Sequence, residues 1–317
     1  MTSDKKLEAT RDAYGKALVE LGKKNKDVVV LDADLAVSTK TALFRKEFPD
    51  RFFDIGIAEQ DMIGTAAGLA ASGKIAFAST FAVFGSGRTW DQIRMSCAYT
   101  RLNVKIVVTH GGITTGEDGA SHQANEDIAI IRAIPNMTVI VPADAVEAKK
   151  TIMAVSKFTG PVYVRLSRLA TPIVYANEEY KFKIGKGVIM RKGSDVTIFA
   201  CGIMVSMALD AAYELEKENI SAEIINIHTI KPLDKNIVIK SAQKTGAVVT
   251  AEEHSIIGGL GSAVSEILSE NHPVPVKRVG IKDTFGESGK PHELLVKYGL
   301  TTQDIIKAAK SVISRKL

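Results

Sequence analysis

The sequence predicts an alternating α/β protein of two domains, each built on a mainly parallel sheet flanked by helices. Short runs rich in Val and Ile recur between longer helical stretches, and they are continuous rather than alternating, as in strands buried on both faces. The pattern lapses once in mid-chain and then restarts. At 317 residues the chain is long enough to bury two cores of ordinary size.

In order, the strand runs are VVVLDAD, KIAFAST, VKIVVTH, TVIVPAD and VYVRLSR, then DVTIFACG, AEIINIHTI, GAVVTAEE and VKRVGI after the lapse. The lapse, LATPIVYANEEYKFKIGKGVIMRKGSD, carries Pro172, several glycines and mixed charge. Such irregular composition marks a connection, and it puts the domain boundary near Lys186 to Gly193. The expected domains are residues 1–188, including the linker, and 189–317.

Composition narrows the range of functions. Hydrophobic residues at 45% and charged residues at 24% suit an ordinary globular fold. The opening MTSDKKLEATRDAYGKAL has no apolar core of signal-peptide length, and no window approaches a membrane span, so no membrane partner is expected. Cys97 and Cys201 lie far apart, without CxxC spacing or a neighbouring His pattern, which predicts a cytoplasmic chain with no metal site of its own. The net charge of +5 comes from scattered lysines, with no basic run longer than two residues. Nucleic acid is therefore not an expected partner, and the excess reads as a mild bias toward anionic small molecules.

In open α/β sheets ligands bind beyond the carboxyl ends of the strands. The residues so placed are Asp32, Asp34, Phe81, Phe84, His110, Asp144 and Arg168. In DIGIAEQD, Glu59 opens a helix rich in small and apolar residues. It reads either as an acid favoured by the helix dipole or as a carboxylate kept from water by Ile55, Ile57 and Ala58. The loop HGGITTGEDGASHQANED brings His110, Glu117, Asp118 and His122 into one glycine-rich connection, where backbone can approach a ligand closely. Later, SIIGGLGSAVSEIL is a glycine-rich helix entry that suits either an anion or tight helix–sheet packing.

ATR at 9–11, DADLAVS at 32–38, GIAEQ at 56–60, STFAVF at 79–84, TH followed by GEDGASHQ, and LSR at 166–168 occur in the order found in transketolase, across nearly the whole chain. The chain thus resembles the C-terminal half of transketolase, a pyrimidine-binding domain followed by a C-terminal domain. The resemblance implies thiamine diphosphate as cofactor, with Glu59 bonded to N1′ of its aminopyrimidine and Phe81 and Phe84 packed on the ring. Asp34 matches an acid near the cofactor at the subunit interface. Arg11, Ser38, His110 and Arg168 match the group that binds the sugar phosphate, Asp118 the acid that reads a substrate hydroxyl, and His122 a second histidine near the reacting carbonyl. Where the family often has a further aromatic residue this chain has Gly87, so the ring pocket is expected to be more open or filled from a partner.

The family's GDG motif, which with a downstream Asn holds the metal and diphosphate, is absent; GEDG at 116–119 is not that motif. The resemblance therefore implies a split enzyme. An N-terminal subunit would bring GDG and the Mg2+ or Ca2+, the assembly would be an α2β2 heterotetramer, and the reaction would be ketol transfer between sugar phosphates. The β subunit of a 2-oxoacid dehydrogenase, 1-deoxyxylulose-5-phosphate synthase and a non-catalytic binding subunit are the alternatives. The first is not expected to carry the sugar loop with LSR, the second is normally one long chain without the counterpart of His110, and the third predicts loss of Glu59 or of the substrate set.

Overall fold

The computed structural model describes residues 6–175 and 180–316. Positions 1–5 of the opening segment and 176–179 of the irregular connection lie outside the described residues. The first part of the chain runs β1 (Leu7–Ala9), α1 (Thr10–Lys24), β2 (Val28–Asp32), α2 (Ala36–Thr39), α3 (Ala42–Glu47), β3 (Phe52–Asp54), α4 (Glu59–Ala71), β4 (Ile75–Phe81) and α5 (Trp90–Gln92). It continues through β5 (Val104–Thr109), α6 (Asp127–Arg132), β6 (Thr138–Ile140), α7 (Ala145–Val155), β7 (Val162–Arg165) and β8 (Ala170–Pro172). The second part comprises β9 (Val188–Arg191), β10 (Val196–Ala200), α8 (Met204–Glu216), β11 (Ala222–Asn226), β12 (Thr229–Lys231), α9 (Lys235–Thr245), β13 (Val248–Ser255), α10 (Leu260–Asn271), β14 (Val276–Ile281), α11 (Pro291–Lys297) and α12 (Thr302–Ile313).

The strands form a seven-stranded sheet ordered β12-β6-β7-β5-β4-β2-β3, a five-stranded sheet ordered β14-β13-β10-β11-β9, and the small pair β1-β8. The interior pairings of both large sheets are parallel. This follows from strands such as VVVLD and VKIVVT, in which every residue is buried. A strand covered by helices on both faces has no polar side to show, so its sequence does not alternate.

The predicted strand AEIINIHTI is in fact two. Its first half stays in the second sheet as β11, and after His228 the chain crosses to pair as β12 antiparallel with β6 of the first sheet. The crossing is sealed where Val141 donates its N–H to the His228 carbonyl at 2.7 Å. One apolar cluster accordingly runs through both parts, with Ile63, Val108 and Tyr163 packed in the same core as Phe199, Ile225 and Leu260.

Two of the strand-end acids serve the fold. Asp32 is buried and accepts from the Leu35 N–H and the hydroxyls of Thr39 and Thr41 at 2.6–2.8 Å. Asp144 caps α7 by accepting from Glu147 N–H at 2.8 Å, and its other oxygen accepts from the N–H groups of Val174 and Tyr175. The glycine-rich entry to α10 does receive an anion, but it is the protein's own: Glu252 accepts from Leu260 N–H at 2.6 Å and Gly261 N–H at 2.7 Å.

Between the sheets lies a buried charge pair. Arg165 Nε donates to both oxygens of Asp127 at 3.0 and 2.9 Å, and Tyr163 donates its hydroxyl to the same carboxylate at 2.8 Å. Arg165 Nη2 donates to the carbonyls of Ala124 and of Glu253 in β13, so the pair ties the first part to the second. Removing one member of such a pair leaves the other charge buried and unpaired. Asp127→Ala is expected to lower the unfolding free energy by about 3–5 kcal/mol in urea titration, and a loss below about 1 kcal/mol would show that this pair does not hold the parts together.

Candidate active site

Glu59 opens α4 and is buried, with its Oε1 accepting from Arg88 Nη1 at 2.9 Å. The guanidinium of Arg88 also lies over the Phe84 ring, 4.1 Å from its centroid. The two contacts follow from local geometry: residues 84–88 form one wide helical turn after β4, and a spacing of four puts Arg88 above Phe84. Ile57, expected to screen Glu59 from water, instead projects outward and is 77% exposed. The chain between β3 and α4 turns at Gly56, with φ +74°, and carries Ile57 to the surface.

From Phe84 the contacts continue inward. Phe81 and Phe84 stack with centroids 6.0 Å apart and planes 14° apart, and Phe81 stacks on His110 at 3.8 Å. The edge of His122 meets both rings. His110 Nε2 lies 3.4 Å from Arg11 Nη1, and Arg11 Nη1 donates to the Ser38 carbonyl at 3.0 Å. Arg168 Nη1 donates to the Thr115 carbonyl at 2.6 Å and to Glu117 at 2.9 Å.

The structure thus joins Glu59, Phe84, Phe81, His110, His122, Arg11 and Ser38 in one line of contacts, with Arg168 on the adjoining loop. Asp34 and Asp118 stand outside it. Both are exposed, and among the described residues no hydrogen bond or ion pair ties either carboxylate into the group. Asp34 is held through its N–H, which donates to Asp54 at 3.1 Å. Gly87 faces open space, with no atom within 4 Å of where a side chain would begin. A cavity of about 1120 Å³ lined by residues including Lys16, Lys149 and Tyr175 shares no residue with this group. Among the described residues, no cluster of three or more His, Cys, Asp or Glu is placed to hold a metal ion, and no helix is long and apolar enough to cross a membrane.

Arg88 is the residue that sequence reasoning missed. A lone arginine after a glycine-rich turn carries no motif. Its spacing from Phe84 was the available signal.

The proton on His110 can be assigned from its neighbours. A guanidinium only donates, so Nε2 accepts from Arg11, and Nδ1–H donates to Thr109 Oγ1 at 2.8 Å. Burial, helped by the charges of Arg11 and Arg168 and by His122, pushes the imidazole down to about 3. Arg11 is also lowered, first by burial, against Asp12 and with help from Arg168. A guanidinium disfavoured by burial and by a second arginine would be relieved by an anion. His110 is held with φ +60°, a left-handed conformation that costs a non-glycine residue about 1–2 kcal/mol and that sets the ring between Phe81 and Arg11.

Residues 7–173 match the transketolase pyrimidine-binding domain, and residues 185–305 match the transketolase C-terminal domain. The chain belongs to the transketolase family. It is 56% identical over 299 residues to a putative transketolase C-terminal section of Methanocaldococcus jannaschii, covering 94% of each chain. A 6-deoxy-6-sulfo-D-fructose transketolase subunit of Clostridium is 48% identical, with 96% of this chain and 95% of that one covered. A solved split gene transketolase, described as an inactive beta4 tetramer, superposes with a TM-score of 0.91 at 53% identity over 98% of this chain and 99% of its own.

These transketolase domains imply dependence on thiamine diphosphate. The residues present fit its aminopyrimidine: a flat, delocalised group, the Arg88 guanidinium, already lies on the Phe84 face while bonded to Glu59.

The neutrality of His110 sets a pH test. Folded, it stays uncharged down to about 3, whereas unfolded it takes a proton near 6.5, so its share of stability is present above 6.5 and lost as pH falls toward 3. His110 NMR resonances are expected to stay in the neutral position from pH 8 to about 5. A midpoint near 6.5 in the folded chain would contradict the assignment.

Proposed function

We propose that this chain is the C-terminal subunit of a two-component transketolase, working with an N-terminal subunit that carries the GDG motif. The reaction is transfer of a two-carbon ketol unit from a ketose phosphate, such as xylulose 5-phosphate, to an aldose phosphate, such as ribose 5-phosphate. The observation that supports it is the line of contacts from Glu59 through Phe84 and Phe81 to His110 and Arg11, an acid and stacked rings at one end and a neutral histidine beside a guanidinium at the other. The relatives' names include different sugars, so the sugar phosphates given are representatives of the class.

Thiamine diphosphate, when bound, supplies the nucleophilic carbon and the electron sink. Glu59 holds a proton at pyrimidine N1′, and its burial protects that hydrogen bond from competition by water. Phe84 and Phe81 orient the ring. Neutral His110 hydrogen-bonds the sugar near its carbonyl, beside His122. Arg11, Arg168 and Ser38 take the phosphate, for which guanidinium forks are geometrically suited. Asp118 reads a substrate hydroxyl, and Asp34 lies toward the cofactor at the interface between subunits. In this reading residues 1–188 are the pyrimidine-binding domain with its linker and residues 189–317 the C-terminal domain.

The Mg2+ or Ca2+ and the diphosphate belong to the partner, and the assembly is an α2β2 heterotetramer. Ile57 and Trp90, exposed on the segments that flank Glu59 and Arg88, suit coverage by another chain.

A coupled assay with xylulose 5-phosphate and ribose 5-phosphate tests this. The purified chain alone is expected to show no turnover, and activity is expected on mixing with a GDG-bearing partner. Turnover by the chain alone would refute the split. Glu59→Gln is expected to cost the mixed complex about 100-fold or more in kcat while sedimentation shows the same assembly. An unchanged rate would remove Glu59 from the mechanism.

A further inference from the structure

The loop that carries His110, Asp118 and His122 leans on the second part of the chain at three places. Glu253, at the end of β13, accepts from the Thr114 N–H at 2.7 Å. Gln123 Nε2 donates to the carbonyls of Ile113 and Gly116 within the loop, and at 2.9 Å to the carbonyl of Glu287 outside it. Ser288 and Pro291 close over Gly119 and Gly116.

The approach is close enough to dictate residue type. A Cβ on Gly112, at φ +88°, would meet the Glu253 carboxyl group at 2.4 Å, and one on Gly119, at φ +75°, would meet the Ser288 hydroxyl at 2.5 Å. Both glycines are needed for left-handed backbone and for space.

Within the loop the contacts lead directly to the site. Thr115, next to the residue that Glu253 holds, donates its hydroxyl to the His110 carbonyl at 2.8 Å and the Gly112 carbonyl at 3.0 Å. Its own carbonyl accepts from Arg168. A shift at Thr114 therefore moves the supports of His110 and Arg168 together.

We propose that Glu253 is a positioning residue for sugar-phosphate binding, through which the C-terminal part of the chain sets the geometry of the His110 to His122 loop, with Gln123 as the second tie. This rests on the transketolase reading above. Glu253 does not touch the substrate; it acts through Thr114. The carboxyl group is buried against Arg165, whose guanidinium bonds the Glu253 carbonyl, so the strut is anchored at its base. Burial pushes the Glu253 carboxyl up to about 7, against Arg165 and the Thr114 N–H. Thr114 needs only an acceptor oxygen at this place, and an amide of the same shape supplies one.

The test uses Glu253→Ala and Glu253→Gln in the complex with the GDG-bearing partner. Loss of a hydrogen bond to a carboxyl group corresponds to about 10-fold in binding, so Glu253→Ala is expected to raise KM for the ketose phosphate by about that factor with kcat nearly retained. Thiamine diphosphate affinity, read by calorimetry, is expected to stay unchanged, and Glu253→Gln is expected to restore KM. In the chain alone, amide exchange at Thr114 is expected to quicken in the Ala variant and not in the Gln variant. A wild-type KM in Glu253→Ala, an equal loss in both variants, or unchanged exchange at Thr114 would overturn the proposal. Should Glu253→Ala not fold, Gln123→Met removes the Nε2 donor at similar volume and carries the same expectations for KM and for exchange across 113–116. Absence of ketol transfer in the wild-type complex would instead reject the functional reading, while the exchange measurements would still report on the strut.

Discussion

The buried pairing of Arg165 with Asp127 is the contact on which the rest of the structure depends. Both groups are buried, and the arrangement is tolerable because Nε of the guanidinium bonds Asp127, Nη2 bonds the Ala124 and Glu253 carbonyls, and the carboxylate also receives Tyr163. Burial works against the charge of Arg165, but Asp127 and Glu253 outweigh it and hold its pKa above the ordinary arginine value. The knot fixes the end of β7, the start of α6 and the end of β13 at one point. The loop from His110 to Ala124 is strung from it: Gly111 N–H donates to the Leu166 carbonyl and Gly112 N–H to the Ala124 carbonyl. A long polar loop thereby keeps one shape, because both its ends and its middle are tied to buried partners.

The electrostatics of the site follow from where this scaffold places two arginines and a neutral histidine. Arg11 enters from α1, His110 from the end of β5, and Arg168 from just beyond β7. Each belongs to a different element, so their crowding is a product of the sheet order. At the other end Glu59 is protected from water by the start of α4 and by Arg88. The aromatic pair between them separates an acid from a cationic patch within one chain, which suits a ligand whose ring and whose phosphate must be held apart.

Much of this was legible in the sequence. The interior strands could be read because a strand covered on both faces leaves an unbroken apolar run, and the parallel α/β class follows from such runs. Of the edge strands only β14, the run VKRVGI, could be read. β3 and β9 are short and partly exposed, and β12 looked like a continuation of β11, since only a distant partner, β6, decides that the chain crosses between sheets. Asp32 and Asp144 stood at strand ends like binding residues and proved to hold backbone, because a carboxylate beside free N–H groups satisfies them first.

The sequence by itself determined the fold class, the family and the kinds of groups in the site, since motif order and apolar runs are local properties of the chain. Only the tertiary structure decided that Arg88 lies on Glu59 and Phe84, that Ile57 faces outward, that His110 is neutral, and that Glu253 supports the loop beneath it. Glu253 is separated from Thr114 by 139 residues. A contact at that distance depends on how two sheets pack, and local sequence carries no record of it.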